Sequence, residues 1–237
     1  MKRSEFRQLP LRDRAYAVFA LCSLGLVVPS LTEAQHNDPD PERFEQQISR
    51  FEAWDTKNSH PTKATLFVGS SSIVMWNSAE RFPNLPLINR GFGGSHVSDV
   101  NHYVEQIVLK YSPSTVVFYA GDNDLGAGKS VTQVFEDYQE FVEAVLEELP
   151  ESEIVFVAVK PSIRRWSLWP KMQELNEKVH SFSGLRANLH YADIATPMLG
   201  KDGTPMPELF VRDGLHMTSA GYDIWTDVLA NLLQSIH

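Results

Sequence analysis

The chain has 237 residues, of which 43% are hydrophobic, 22% charged and 11% aromatic. This composition excludes a disordered polymer, a collagen-like fibre and a disulfide-stapled miniprotein, and the length suits one domain. The net charge of −9 repels phosphate backbones and anionic membrane surfaces, so no nucleic-acid partner is expected.

In chain order, the first segment stands apart from the rest. Lys2, Arg3, Arg7, Arg12 and Arg14 precede an apolar run from Ala15 to Leu31, and Thr32-Glu33-Ala34-Gln35 follows. A basic flank, an apolar stretch and small residues before a cut describe a secretory signal peptide. The run is short for a membrane span, and Pro29 would disturb the end of a spanning helix. The sequence therefore predicts a signal peptide over residues 1–34, a domain over 35–237 and export to a periplasmic or extracellular space. The alternative is an N-terminal membrane anchor. Leu21 stands before Cys22 where a lipoprotein signal wants a small residue. Cys22 is the single cysteine, so the mature chain is expected to hold no disulfide, no thiolate nucleophile and no membrane span.

The remainder alternates between two periodicities. Phe44, Ile48, Phe51 and Trp54 mark an amphipathic helix over 40–57. Apolar runs at 64–68, 85–89, 115–120, 154–159 and 189–194 read as strands. Stretches 97–109, 131–149, 171–182 and 219–236 read as helices. Five apolar strands separated by helices predict a parallel sheet covered on both faces, an α/β fold. No internal repeat or composition shift marks a second domain.

In such sheets ligands bind beyond the carboxyl ends of the strands, so the residues after each strand carry the information. Gly69-Ser70-Ser71-Ser72 follows the first strand, Gly91-Phe92-Gly93-Gly94-Ser95 the second and Gly121-Asp122-Asn123-Asp124 the third; Asp213-Gly214-Leu215-His216 lies near the far end. Four polar clusters would meet on one rim. Asp213 and His216, three apart, can lie on one side of a turn, with the carboxylate holding one ring nitrogen and the other free to take a proton. Asp213 can equally be a helix cap. Ser71 suits a nucleophile at a helix start or a cap of that helix, and its G-x-S-x-I context lacks the second Gly of the α/β-hydrolase elbow. Gly94 and Asn123 can donate hydrogen bonds to an oxyanion, or can serve as turn residues. Gly126-Ala127-Gly128-Lys129-Ser130 fails as a phosphate loop, because Asn123 stands where the first Gly belongs. Asp122 and Asp124 read as turn residues, and no metal-ligand spacing occurs among the eight histidines.

Taken in order, Gly69-Ser70-Ser71, Gly94, Asn123 and Asp213-x-x-His216 resemble the four blocks of the SGNH hydrolases, also called the GDSL esterase/lipase family. The resemblance runs from about Thr65 to Trp225, and Arg212 to Tyr222 is especially similar to the last block. It implies a flavodoxin-like three-layer α/β/α sandwich with a five-stranded parallel sheet. It further implies Ser71 as nucleophile, His216 as base and Asp213 as orienter. The oxyanion donors would be the N–H groups of Ser71 and Gly94 and the side chain of Asn123. Ser70 departs from the pattern, which usually has Asp there. No metal or cofactor is implied.

The expected activity is hydrolysis of short-chain, acetyl-type carboxylic esters, with a small-molecule or carbohydrate ester as substrate. An acyltransferase of the same fold and a lipase or lysophospholipase are the alternatives. A full set of triad residues argues against a mere binding module. The loop from Lys160 to Pro170 lies on the same rim; Arg164, Arg165, Trp166 and Trp169 there could form a sugar-binding wall, or the Trp residues could pack inward. If the leader is removed as expected, mass spectrometry of chain from its native host should find a start near Gln35; a chain retaining residues 1–34 would contradict export by cleavage.

Overall fold

The computed structural model describes residues 38–236; the predicted signal peptide, its cleavage point and Cys22 lie outside them. Five parallel strands, β1 (Thr65–Gly69), β2 (Leu87–Gly91), β3 (Thr115–Tyr119), β4 (Glu153–Val157) and β5 (Leu189–Ala192), form a single sheet in the order β2-β1-β3-β4-β5. This is the flavodoxin-like order, and its switch point lies between β1 and β3. The helices are α1 (Glu45–Asp55), α2 (Ser71–Val74), α3 (Ser78–Arg81), α4 (Val97–His102), α5 (Val104–Ile107), α6 (Asp122–Gly126), α7 (Val131–Glu148), α8 (Trp169–Ser183) and α9 (Ser219–Ile236). Among the described residues no helix is long and apolar enough to cross a membrane.

The central strands β1, β3 and β4 are apolar over most of their length because both faces are covered. In register, Phe118 of β3 faces Phe156 of β4, which faces Tyr191 of β5. That row lies under α7 and α8: Tyr138 packs on Phe118 and Phe156, and His180 stacks on Tyr191 at 4.8 Å. On the opposite face Phe67 and Tyr119 meet Trp76 and Trp225 at 5.2 and 4.8 Å, and Tyr222 of α9 completes the aromatic layer. Tyr138, Phe156, Trp76 and Trp225 are almost wholly buried.

The fourth and fifth strands end two residues before their apolar runs, and the first helix is shorter than its amphipathic pattern; two further differences have a visible cause. The second strand starts and ends two residues later than its apolar run. Pro86 cannot donate to the ladder, though its carbonyl accepts from Thr65 N–H at 2.8 Å. Arg90 continues the strand because its guanidinium is satisfied: it donates to Tyr111 Oη at 2.7 Å and Asp55 Oδ1 at 2.6 Å. The helix expected over 97–109 breaks at Tyr103, whose hydroxyl donates to the Pro41 carbonyl at 2.9 Å and whose ring meets Phe92 edge-on. Its run of valines gives little intrinsic helix preference to resist that pull.

The aromatic layer under α9 is a large share of the core. Trp225→Ala should lower the unfolding free energy by about 3–5 kcal/mol in a urea titration; a loss below about 1 kcal/mol would show that the layer can collapse around the hole.

Candidate active site

The site begins with a close backbone approach. Gly69, the last residue of β1, has φ +132°, and a Cβ there would stand 1.9 Å from the carbonyl oxygen of Tyr119 at the end of β3. Only glycine permits this contact. Ser70 N–H then donates to the same carbonyl at 2.9 Å, and the chain turns directly into α2 with Ser71 as its first residue. Ser71 is half-exposed, whereas Ser70 and Ser72 on either side are buried.

Asp213-Gly214-Leu215-His216 is a turn held shut by its own carboxylate. Asp213 Oδ1 accepts the N–H groups of Leu215 and His216 at 2.8 and 2.9 Å, and Oδ2 accepts from His216 Nδ1 at 2.6 Å. A carboxylate only accepts, so the hydrogen-bond network assigns the ring proton to Nδ1 and leaves Nε2 to accept. Nε2 lies 3.1 Å from Ser71 Oγ. The hydrogen bond from His216, followed by those from the two backbone N–H groups, holds the Asp213 carboxyl well below the usual carboxylate range. The turn is braced at its base, where Val211 N–H donates to the His216 carbonyl at 2.8 Å and Tyr222 Oη reaches across to the Ser72 carbonyl at 2.9 Å. The three side chains thus make one hydrogen-bonded chain, able to draw a proton from the Ser71 hydroxyl.

Gly94 and Asn123 flank this chain. Gly94 has φ +86°, the left-handed region that favours glycine, and its neighbour Gly93 sits next to Ser71, since a Cβ on Gly93 would lie 3.8 Å from that of Ser71. Asn123, in the first turn of α6, donates through Nδ2 to the Ser95 carbonyl at 3.1 Å and accepts at Oδ1 from Arg165 Nη2 at 3.0 Å. That leaves the second hydrogen of Nδ2 without a partner among the described residues. Ser71, Gly94, Asn123, Asp213 and His216 are therefore gathered at the carboxyl ends of β1, β2 and β3.

The Lys160–Pro170 loop meets the same rim, and its four candidate residues part ways. Arg165 turns inward to Asn123 and forms an ion pair with Asp122 at 3.1 Å. Arg164 is exposed, and its N–H donates to the Gly214 carbonyl at 3.0 Å, docking the loop on the Asp213 turn. Trp169 is buried, and Trp166 stacks on it at 5.8 Å while staying half-buried.

Reading Asp122 and Asp124 as turn residues missed their burial. Asp122 is the acceptor of the buried Lys160 ammonium at 3.1 Å. Asp124 accepts Val97 N–H at 3.0 Å through Oδ1 and pairs with Lys129 at 3.3 Å, tying the start of α4 to the Asn123 loop. Lys129 also pairs with Asp137 at 3.0 Å and with Asp38. The available signal was charge in excess of what a short connection needs: Asp122 and Asp124 both lie just after β3. Among the described residues no three His, Cys, Asp or Glu side chains converge as metal ligands would.

A doubly wound α/β fold carrying a hydroxyl–imidazole–carboxylate chain at its carboxyl rim is the layout of an ester hydrolase. The family model of the GDSL-like lipase/acylhydrolase family matches residues 72–224, and the chain belongs to that family of ester-hydrolysing enzymes. No curated protein matches the chain. Solved structures share its fold. A GDSL-like lipase from Bacteroides thetaiotaomicron superposes with a TM-score of 0.69 at 19% identity, over 80% of this chain and 98% of its own. A carbohydrate esterase family 3 protein from Talaromyces cellulolyticus gives 0.60 at 16% identity, over 74% and 98%. A variant of an acetyl-xylooligosaccharide esterase from Geobacillus stearmophilus gives 0.57 at 17% identity, over 72% and 94%.

Burial pushes the Asp124 carboxyl up from its ordinary 3.8 to about 6, against the pull of Lys129 and the Val97 N–H. The folded chain therefore holds a proton there that the unfolded chain has released, and the stability this confers is lost as pH rises through about 6. The buried His96 ring nearby is shifted down, by burial first and by Lys129 second, and gives the opposite slope. Asp124→Asn removes the carboxyl while keeping Lys129 and the His96 ring, whose Nδ1 lies 3.8 Å from Asp124 Oδ1. The wild-type melting temperature should fall relative to that of the variant between about pH 5 and about pH 7; a constant difference would contradict the buried titration.

Proposed function

We propose that this enzyme is a serine esterase that hydrolyses short-acyl, acetyl-type carboxylic esters, esters of carbohydrates among them. The observation that carries the reading is the hydrogen-bonded chain from Ser71 Oγ through His216 to Asp213. His216 Nε2 takes the Ser71 proton as Oγ attacks the ester carbonyl. The tetrahedral oxyanion is held by the N–H groups of Ser71 and Gly94 and by the unused N–H of Asn123. His216 returns the proton to the departing alcohol, which leaves an acyl group on Ser71. Water, deprotonated by His216, then attacks this acyl-enzyme; the acid departs and Ser71 regains its proton. Asp213, ionised at every working pH by its depressed pKa, holds the imidazole in the tautomer this needs.

The surroundings favour a small polar substrate. Met217, next to His216 in the chain, and Met75, whose N–H donates to the Ser71 carbonyl at 2.9 Å, help line an open cleft of about 530 Å³ beside the site, whose other walls are Asn77, Glu80, Arg81, Ser219, Tyr222 and Asp223. Amide, carboxylate, guanidinium and hydroxyl groups suit a hydroxyl-rich alcohol better than a fatty chain. The carbohydrate ester in the names of two fold relatives supports the same direction. Trp166, half-buried at the rim, offers one aromatic edge for a sugar. We further propose that residues 1–34 direct the chain out of the cytoplasm.

Ser71→Ala should cost several orders of magnitude in kcat on p-nitrophenyl acetate with an unchanged melting temperature. An active Ser71→Ala beside an inactive Ser70→Ala or Ser72→Ala would move the nucleophile. Along a series of p-nitrophenyl esters, kcat/KM should fall from acetate to octanoate; a preference for octanoate would overturn the short-acyl reading. Trp166→Ala should raise KM for acetylated sugars more than for p-nitrophenyl acetate, and equal effects would remove Trp166 from the sugar site.

A further inference from the structure

Beneath the site runs a chain of buried polar contacts that the mechanism does not use. Lys160 is 1% exposed, and its ammonium spends its three hydrogens on Ser72 Oγ at 3.0 Å, Tyr119 Oη at 2.9 Å and Asp122 Oδ2 at 3.1 Å. Asp122 is shared with Arg165 Nη1 at 3.1 Å. The other arm of the guanidinium donates to Asn123 Oδ1, and Asn123 Nδ2 donates to the Ser95 carbonyl. The path therefore runs Ser72–Lys160–Asp122–Arg165–Asn123–Ser95. Its first member adjoins the nucleophile Ser71, its fifth is an oxyanion donor and its last adjoins the donor Gly94.

We propose that Lys160, Asp122 and Arg165 are positioning residues that fix the spacing between the nucleophile and the oxyanion donors and the orientation of the Asn123 amide. The proposal rests on the serine-esterase reading above. Ser71, Gly94 and Asn123 sit on three loops beyond three strand ends, past the last backbone bonds between those ends, Phe92 N–H to the Gly69 carbonyl and Ser70 N–H to the Tyr119 carbonyl, both at 2.9 Å. The chain of contacts supplies the missing ties. A carboxamide has two ends of nearly equal shape, and the guanidinium at Oδ1 together with the Ser95 carbonyl at Nδ2 decides which end faces the oxyanion. Asp122 remains ionised in this setting: burial pushes its carboxyl up, but Lys160, and after it Arg165, outweigh that and draw it down. Arg165 thus acts through Asn123 and is not a substrate ligand.

A misplaced donor harms the transition state and leaves ground-state binding alone. In Lys160→Met and Arg165→Met, kcat on p-nitrophenyl acetate should fall about 10- to 100-fold while KM stays within about twofold. Affinity for a boronic acid that adds to the serine should fall in parallel. Lys160→Met removes one of the two cations that compensate Asp122, so the pair Lys160→Met/Asp122→Asn, which buries no charge at either position, is measured with it and should show the same loss in kcat. In Arg165→Met the aliphatic stem is kept and Lys160 still compensates Asp122. Wild-type kcat in the folded Arg165→Met and paired variants overturns the proposal, as does a raised KM at unchanged kcat, which would make Arg165 a substrate ligand. Ser71→Ala is run beside them. If it is inactive while the other variants are normal, the proposal alone falls; if it is active, the serine-esterase reading falls and takes the proposal with it.

Discussion

Between Gly69 and the carbonyl of Tyr119 there is room for a hydrogen atom and nothing larger. The rest of the site depends on that contact. It lets β1 and β3 end side by side at the switch point of the sheet, and it takes up the Ser70 N–H so that Ser71 emerges at the start of α2. The same tyrosine serves the structure three ways: its carbonyl receives Ser70, its hydroxyl receives Lys160 and its ring lies against Trp225. A side chain at position 69 would part the two strand ends and move the nucleophile away from both its base and its oxyanion donors.

Around this contact the interior carries a density of charge that a purely stabilising core would avoid. Asp122, Asp124, Lys129 and Lys160 are all buried. Each is paired, because an unpaired ion in such a place costs several kcal/mol (on the order of 3–5 when a partner is removed). Well-packed apolar side chains of similar volume would often hold a fold together as well. They would not fix distances between loops, since apolar contacts are tolerant of sliding and hydrogen-bonded ions are not. The two ionic groups divide this labour: Lys160 and Asp122 lie beneath Ser71 and Asn123, while Lys129 and Asp124 hold the start of α4, which follows the Gly94 loop.

The sheet, its parallel sense and its long helices were legible because buried parallel strands leave uninterrupted apolar runs and amphipathic helices leave a period near 3.6. Strand ends were less so. Arg90 reads as the end of a strand until Asp55 and Tyr111, both distant in the chain, are seen to satisfy it. The break at Tyr103 depends on the Pro41 carbonyl and on Phe92, which no local window contains. At the site, Ser71, Gly94, Asn123, Asp213 and His216 stood out because each follows a strand or forms a tight local pattern, and their roles came from the resemblance of the four blocks, taken in order, to a known family. Lys160 could not, since nothing beside it in the sequence distinguishes a buried ammonium from a solvated one. Arg165 was visible as a rim residue, and only the structure shows it turned to Asn123.

Ser71 and His216 touch across a sequence separation of 145 positions. Every strand pairing in the sheet also closes a long loop, and such topologies assemble slowly because loop-closure entropy precedes any reward. The base and its carboxylate come from the stretch after β5, and α9 lays Tyr222 and Trp225 over the ends of β1 and β3. Catalytic competence therefore requires that this stretch has docked on the sheet. A chain without that docking carries an inert serine, so recovery of turnover after denaturation reports the docking itself, whereas far-ultraviolet dichroism reports the sheet and the helices.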